Sequence, residues 1–508
     1  MDILDHHFSF PTARFWRGCH MTDGEDQLLI GWAETEITPS ENVLIAGQFH
    51  ARVSEGVNDP ITSTALAIQG RGGVLVIVSC DLVSISDGLR DAVRGRLAQM
   101  DGLDGLDPME VILHGTHTHT GPETRVPRVG AGHPFDYVGI ELPVIPVKEY
   151  VNFAAGRIAG AVSDAWSSRS PGGFAFGQGY AVVGRNRRWV DREGGSTMYG
   201  DTNTPGFSHI EGYEDHSVNV FATYAGGGSL SGLVVNVPCP AQVSEVEFRL
   251  SADYWFETRE ELRRRLGGGL PILAQCSAAG DQSPHLLFDK RSAERMLELS
   301  GRTEREEIAH RISGAVEEVL QHAGQAIDYG SPLRHRVEDV TLPTAELTEE
   351  DAEKAERDAG SMRKLYEELK QNLDADPSLK NQDRWYTKVT SAYRRMCWLE
   401  AVAKRYREGR KRQPAELHVI RMGEMALATN PFEYYLDFGV YIRARSRAVQ
   451  TFLVQLAGSG TYVPSRRSTE GGGYGSVPAS NPVGYQGGWE FAERTIALID
   501  GLWEEPGQ

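Results

Sequence analysis

The 508-residue chain has the composition of a folded globular protein, with 40% hydrophobic, 24% charged and 9% aromatic residues. Its net charge of −18 argues against nucleic acid or an anionic membrane surface as a partner. The cysteines are scattered without a Cys-x-x-Cys pair, and neither a signal-type N-terminus nor a membrane-length apolar run occurs in the sequence. We therefore predict a cytoplasmic protein with a small-molecule partner and no stable membrane association.

The first half of the chain alternates strand and helix patterns. Residues 1–27 predict a tail, and residues 28–508 a single catalytic domain. The apolar run at 73–80 predicts a strand covered on both faces, and residues 89–100 have helical spacing. Because a second apolar strand begins at Val111, these segments form a β-α-β unit with its chemistry at a carboxyl end of the sheet. The predicted fold class is α/β, with mixed sheets layered against flanking helices.

Closely spaced histidines follow the Val111 strand, in the run Thr116-His-Thr-His-Thr-Gly-Pro122. A strand period of two would place His117 and His119 on one face, where two imidazoles can share a metal ion. The Gly-Pro pair would turn the chain away from the sheet, so that the histidines face a cleft. A His-x-His pair alone is more often two ordinary surface or core histidines, so the motif does not decide the question.

Two later loops also follow apolar strands. Arg185, Arg187 and Arg188 could clamp a carboxylate or phosphate, although a solvated turn fits the same pattern. The strand at 270–275 opens into Gly280-Asp-Gln-Ser-Pro284, which is typical of a loop that presents a hydroxyl or a carboxylate.

Residues 344–412 differ in character from the rest of the chain. A capping pattern at Thr348 is followed by long charged stretches with heptad-like spacing, broken near 374–377. The pattern predicts a helical hairpin inserted in the catalytic domain. This pattern is compatible with three roles: a lid, an arm for homo-oligomer formation, or a helical insertion without a function of its own.

Five sequence blocks, taken together and in order, resemble the neutral/alkaline non-lysosomal ceramidase superfamily. Ordered blocks are more specific than any single motif, and the resemblance extends from about residue 30 to residue 474. It implies a ceramidase-like catalytic domain. The blocks are Thr116-His-Thr-His-Thr-Gly-Pro122, Gly184-Arg-Asn-Arg-Arg188, Leu250-Ser-Ala-Asp-Tyr254, Gly280-Asp-Gln-Ser-Pro284 and Gly460-Thr-Tyr-Val-Pro464.

The resemblance also implies a set of ligands. In that family one zinc ion is held by two histidines, a glutamate and a tyrosine, and a bound water attacks an amide. Carried over residue by residue, His117, Glu433 and Tyr462 are implied as ligands, with Glu433 in the less similar block Asn430-Pro-Phe-Glu433.

The same resemblance implies the residues around the metal. His119, or another basic group beside the metal, would take up a proton, and Asp281 and Ser283 would belong to the catalytic loop. Tyr462 or Ser283 would donate to the oxyanion, and Arg187 would contact the substrate.

The chain departs from the family at the second metal histidine. Pro240 occupies that position, in Asn236-Val-Pro-Cys-Pro240, and proline cannot bind a metal. Cys239 is the most plausible replacement because a thiolate is a good zinc ligand, and Gln242 is an alternative. Five histidines are further possible replacements, although no spacing selects one of them: His50, His114, His209, His216 and His285. Without a replacement, the ion would be held more weakly.

We therefore predict a metal-dependent hydrolase, with zinc as the expected ion, that cleaves an amide or related bond in a small soluble substrate rather than membrane ceramide. Ceramidases that act on membrane lipid are usually secreted and carry a C-terminal immunoglobulin-like domain, and we expect neither feature in this protein. One alternative is a glycoside hydrolase on the same scaffold, which would draw paired carboxylates from Asp81, Glu123, Asp281 and Glu433. A non-catalytic binding protein is the other.

Overall fold

A computed structural model describes residues 27–125 and 137–504 of the chain. The predicted tail therefore lies outside the described residues, apart from residue 27. The strands are β1 Leu28–Glu36, β2 Leu44–Ile45, β3 Arg52–Val53, β4 Thr62–Gly70, β5 Gly73–Cys80, β6 Val111–Gly115, β7 Ser170–Tyr180, β8 Arg185–Asn186, β9 Arg188–Asp191, β10 Ser196–Met198, β11 Phe207–Ile210, β12 Ser217–Ala225, β13 Leu230–Val237, β14 Ile272–Cys276, β15 Gln282–Ser283, β16 Leu333–Pro343, β17 Arg412–Met422, β18 Met425–Thr429, β19 Glu433–Tyr434, β20 Gln450–Val454 and β21 Tyr462–Val463. The helices are α1 Asp87–Leu97, α2 Val147–Ser167, α3 Tyr254–Leu266, α4 Lys290–Ser300, α5 Glu304–Ala323, α6 Glu349–Ala375, α7 Thr387–Glu408, α8 Leu436–Arg445, α9 Arg466–Gly471 and α10 Gly484–Gly501.

An eight-stranded sheet in the order β14-β13-β12-β7-β1-β4-β5-β6 forms the larger of the two main layers of strands. Its two outer pairs, β5 with β6 and β13 with β14, are parallel, whereas the pairs between them are antiparallel. The predicted β-α-β unit is therefore present as β5, α1 and β6. The second layer is the four-stranded sheet β16-β17-β18-β20.

The two sheets pack face to face, with helices on both outer sides. In β4, Ala65 and Ala67 belong to the core shared with α1 and α2, whereas Leu66 and Ile68 belong to the core shared with the second sheet. Because successive strand residues point to opposite faces, strands covered on both sides must be apolar throughout. The outer face of the second sheet is covered by α8 and α10. The predicted α/β class with layered mixed sheets is confirmed.

Helices α6 and α7 form the helical hairpin expected between residues 344 and 412. The two helices pack against each other, and in the sequence they lie between strands β16 and β17. A capping box begins α6, where Thr348 accepts from the Asp351 N–H and the Asp351 side chain accepts from the Thr348 N–H. None of the helices in the two described ranges is long and apolar enough to cross a membrane.

Candidate active site

A cavity of about 500 Å³ opens beyond the carboxyl ends of β5 and β6. The loops that leave these two parallel strands both reach it, which is the usual position for sites in α/β sheets. Helix α7 of the hairpin supplies part of its wall. The lining includes Gln48, Phe49, Ser84, His117, His119, Arg125, Tyr137, Tyr393, Arg394, Trp398, Glu433, Tyr462 and Tyr474.

His117 is held in a left-handed backbone conformation, with φ of 66°. Strand β6 ends at Gly115, so the two histidines approach each other through a loop and not through the strand period that we expected. The His117 Nδ1 atom lies 2.6 Å from the carbonyl oxygen of Val83. Because a carbonyl only accepts, Nδ1 carries the proton and the lone pair of Nε2 points into the cavity.

Glu433 and Tyr462 come from two short strands. β19 and β21 pair in parallel, and Glu433 and Tyr462 are direct register partners. The Glu433 Oε2 atom lies 3.3 Å from His117 Nε2. It is buried and has no well-aligned hydrogen bond from any described residue. Although burial opposes ionisation, the neighbouring His117 and Arg187 lower the pKa of Glu433 below its ordinary value.

His119 completes the group that faces the cavity. Its Nε2 lies 3.4 Å from His117 Nε2 and 2.9 Å from the amide nitrogen of Gln242. Its Nδ1 lies 3.6 Å from Glu245 Oε2. Because the amide nitrogen of Gln242 donates, His119 Nε2 is an acceptor, and Nδ1 carries its proton toward Glu245. Burial, together with the neighbouring His117, lowers the pKa of His119 well below its ordinary value, so His119 is neutral near pH 7.

Arg187 lies behind these side chains and is completely buried. It donates to the Tyr199 hydroxyl at 2.8 Å, to Gln242 Oε1 at 3.2 Å and to the Gly280 carbonyl at 2.8 Å. A further donation reaches the Tyr462 hydroxyl at 3.2 Å. Protein groups therefore surround the guanidinium, and Arg187 positions Tyr462 without lining the cavity itself, in contrast to the substrate contact that we expected.

The structure places Ser283 and Asp281 outside the cavity lining. Ser283 is fully buried, and its hydroxyl accepts from the backbone N–H of His285 at 3.1 Å. Asp281 accepts from the Leu436 N–H at 2.9 Å and from the Asn186 amide at 3.0 Å, so it ties three chain segments together. Burial raises the pKa of Asp281 to about 6.

Cys239, the expected replacement ligand, packs in the core beneath α3 with Tyr254 and Trp255. Burial raises the pKa of its thiol well above the ordinary value, which opposes a thiolate. Among the described residues, the side chains that reach His119 from this loop are Gln242 and Glu245. Sequence reasoning had considered Gln242 as an alternative but had missed Glu245, which lies only five residues after Pro240.

The carboxylates considered for a glycosidase do not converge. Asp81 is fully buried and is held by both terminal nitrogens of Arg259, at 2.8 and 2.9 Å. Glu123 is bound by Arg125 at 2.8 Å. Of the four carboxylates, Glu433 is the one that belongs to the described lining of the cavity. Within the described part of the chain, these four carboxylates therefore do not form an acid and base pair that flanks one bond.

The donor set at the cavity floor fits a metal ion in its chemistry. In the described residues, no group of three or more His, Cys, Asp or Glu side chains meets the geometry of a complete metal site. Yet the lone pair of His117 Nε2 faces Glu433 Oε2 at 3.3 Å, and this oxygen has no well-aligned hydrogen bond from a described residue. Two ligands of a tetrahedral zinc ion, each bonded at about 2.0–2.1 Å, lie about 3.4 Å apart. A cation between these acceptors would relieve their repulsion.

Two solved structures are similar to the chain over nearly its full length. One is the neutral ceramidase from Pseudomonas aeruginosa, with 17% identity, a TM-score of 0.65, and coverage of 96% of this chain and 76% of the other. The other is a ceramidase complexed with C2, with 16% identity, a TM-score of 0.62, and coverage of 95% and 77%. No protein-family model and no curated protein matches the sequence. The expected ceramidase-like fold is confirmed.

Proposed function

We propose, from the fold that the chain shares with ceramidases, that it is a metal-dependent hydrolase which cleaves an amide or a related bond. The observation that carries this proposal is the convergence of His117, His119, Glu433 and Tyr462 on one cavity floor. Zinc is the ion that best suits a pairing of imidazole and carboxylate ligands.

His117 and Glu433 would hold the ion, whereas Tyr462, the further ligand that the resemblance implies, serves as a hydrogen-bond donor. The Val83 carbonyl fixes the tautomer of His117, and the strand pairing fixes Glu433 beside Tyr462. A zinc ion bound there supplies two kinds of chemistry, since it lowers the pKa of a bound water and polarises a carbonyl group.

His119 is the proton acceptor in this proposal. It is neutral and presents Nε2 to the cavity floor, while Gln242 and Glu245 hold its ring in place. A neutral imidazole within reach of the attacking water can accept its proton and pass it to the leaving group.

Tyr462 would donate to the oxygen that becomes negative in the reaction. Burial raises the pKa of Tyr462 well above its ordinary value, so the phenol keeps its proton. The Arg187 guanidinium donates to the phenol oxygen and so holds the hydroxyl in place. A fixed donor of this kind stabilises the transition state more than the ground state.

The cavity supports a small soluble substrate rather than a membrane lipid. Its volume of about 500 Å³ is that of a site for a small molecule. The hairpin helix α7 forms one wall through Tyr393, Arg394 and Trp398, which limits the length of an acyl group.

Hydrolysis of a panel of short-chain amides tests the proposal. We expect turnover that is lost after exhaustive chelation, restored by zinc, and reduced by at least about 100-fold in His117→Ala. The matched control is His209→Ala, which removes an exposed histidine on β11 and should retain full activity. Activity that survives chelation would overturn the metal-dependent mechanism, and binding of amides without turnover would favour a non-catalytic binding protein.

A further inference from the structure

The cavity contains a guanidinium that forms no ion pair with a described carboxylate. Arg394, on α7, donates to the Gln48 carbonyl at 2.8 Å and to the Tyr137 hydroxyl at 2.5 Å. Both acceptors are uncharged, and among the described residues no acidic side chain lies within ion-pairing distance of Arg394. Two hydrogen bonds to uncharged oxygens leave further N–H groups of the five-donor guanidinium available.

The other cations at this cavity are already paired. Arg125 is bound by Glu123 at 2.8 Å, and Arg187 lies 3.8 Å from Glu433. Glu123 also interacts electrostatically with Arg394, but both of its carboxylate oxygens are bound by Arg125, so Arg394 keeps hydrogen-bond donors for a ligand. Arg394 is half-buried, and a guanidinium with donors to spare binds a carboxylate through charge-assisted hydrogen bonds, so this position favours an anion in the bound ligand.

An aromatic wall adjoins Arg394. Trp398 lies one helical turn further along α7, on the same helix face. Its ring lies 5.2 Å from that of Phe49 and 6.3 Å from that of Tyr474. Tyr474 in turn lies 5.5 Å from Tyr462. The wall thus extends from the cation to the reactive end of the cavity.

We infer that the substrate is an amide which carries a carboxylate, as an N-acylated amino acid does. Its carboxylate binds Arg394, and an apolar side chain packs on Phe49, Trp398 and Tyr474. The charged end would thereby set the position of the amide near His117 and Glu433. This inference rests on the proposed hydrolase function, because it names the substrate class of the same site.

Calorimetric titration with two matched probes tests the inference. N-acetylphenylalanine carries the carboxylate, and its carboxamide has the same shape without the charge. We expect the purified full-length protein to bind the acid at least about tenfold more tightly than the carboxamide, because a charged hydrogen bond is lost in the latter. In Arg394→Met this preference should disappear, while binding of the carboxamide remains and reports an intact pocket.

Arg407→Met is the matched control. Arg407 lies on the same helix, is exposed and pairs with Glu356 on α6, so its loss changes the charge equally without altering the cavity. It should keep the full preference for the acid. The inference is overturned if the wild-type protein binds both probes equally, if it does not bind the acid, or if the preference survives in Arg394→Met. Turnover of neutral amides without this preference would retain the hydrolase and reject the anionic substrate.

Discussion

Glu433 and Tyr462 lie side by side because β19 and β21, each two residues long, pair in parallel register. The pair brings a carboxylate and a phenol from distant parts of the sequence to the floor of one cavity, opposite His117. Geometry of this kind depends on backbone hydrogen bonds, so single side-chain substitutions can test each role while the strand pairing remains.

Tyr462→Phe removes the hydroxyl and leaves the ring in the core. We expect kcat to fall by about 100-fold or more, because the donor to the developing negative charge is lost. The free energy of unfolding should fall by only about 1–2 kcal/mol, because the ring keeps its packing while the buried Arg187 loses one acceptor. Steady-state kinetics and thermal unfolding of the same preparation would separate the two effects, and an unchanged kcat would remove Tyr462 from the mechanism.

Cys239→Ser should leave the zinc content unchanged. The thiol packs in the core with Tyr254 and Trp255, so a hydroxyl there should lower the free energy of unfolding by about 1–2 kcal/mol. Cys397→Ser, at an exposed thiol, is the control and should change neither the zinc content nor the free energy of unfolding. Loss of zinc in Cys239→Ser alone would show that the loop after β13 supplies a ligand after all.

Ser283→Ala should affect stability more than catalysis. The buried hydroxyl accepts from the His285 N–H, so its loss should cost about 1–2 kcal/mol in unfolding free energy. We expect kcat/KM to remain within about threefold of the wild-type value. A large fall in kcat with unchanged urea denaturation would instead restore Ser283 to the catalytic group.

The sequence predicted which strands and residues form the candidate site better than it predicted how these residues approach one another in space. The apolar runs of β5 and β6 are clear in the sequence because both faces of each strand are covered. The blocks that resemble the ceramidase superfamily pointed to Glu433 and Tyr462 as candidate site residues. The approach of His117 to His119 was attributed to a strand period, but it depends on a positive φ angle that residue type alone did not reveal.

Other features depended on long-range packing that local patterns do not encode. Nothing in the Pro238-Cys-Pro240 segment indicates that Cys239 turns into the core while Gln242 reaches His119. The hairpin was predicted from its charged helical pattern and its cap, yet its contribution of Arg394 and Trp398 to the cavity depends on how α7 docks beside Phe49.

His114 provides a pH-dependent prediction. It is fully buried in β6, neither ring nitrogen has a well-aligned partner among the described residues, and burial lowers its pKa to about 4. Because the unfolded chain binds the proton near pH 6.5, this residue's contribution to stability is present above pH 6.5 and is lost as the pH falls toward 4. The loss amounts to at most about 3 kcal/mol.

His114→Leu should remove this part of the pH dependence and stabilise the protein near pH 7, because two unsatisfied nitrogens are replaced by an apolar group. Denaturant unfolding measured at intervals between pH 4 and pH 7 would check both effects. His209→Leu, at an exposed site, is the control and should retain the wild-type slope. A wild-type slope in His114→Leu would contradict the prediction.

Zinc titration of the metal-free protein tests the central claim most directly. Calorimetry of the wild-type chain and of His117→Ala, Glu433→Gln and Cys239→Ser would measure stoichiometry and affinity without relying on turnover. We predict one zinc ion per chain, an affinity at least about 100-fold weaker in His117→Ala and Glu433→Gln, and an unchanged affinity in Cys239→Ser. Absence of zinc binding, or binding that His117→Ala and Glu433→Gln leave intact, would contradict the account.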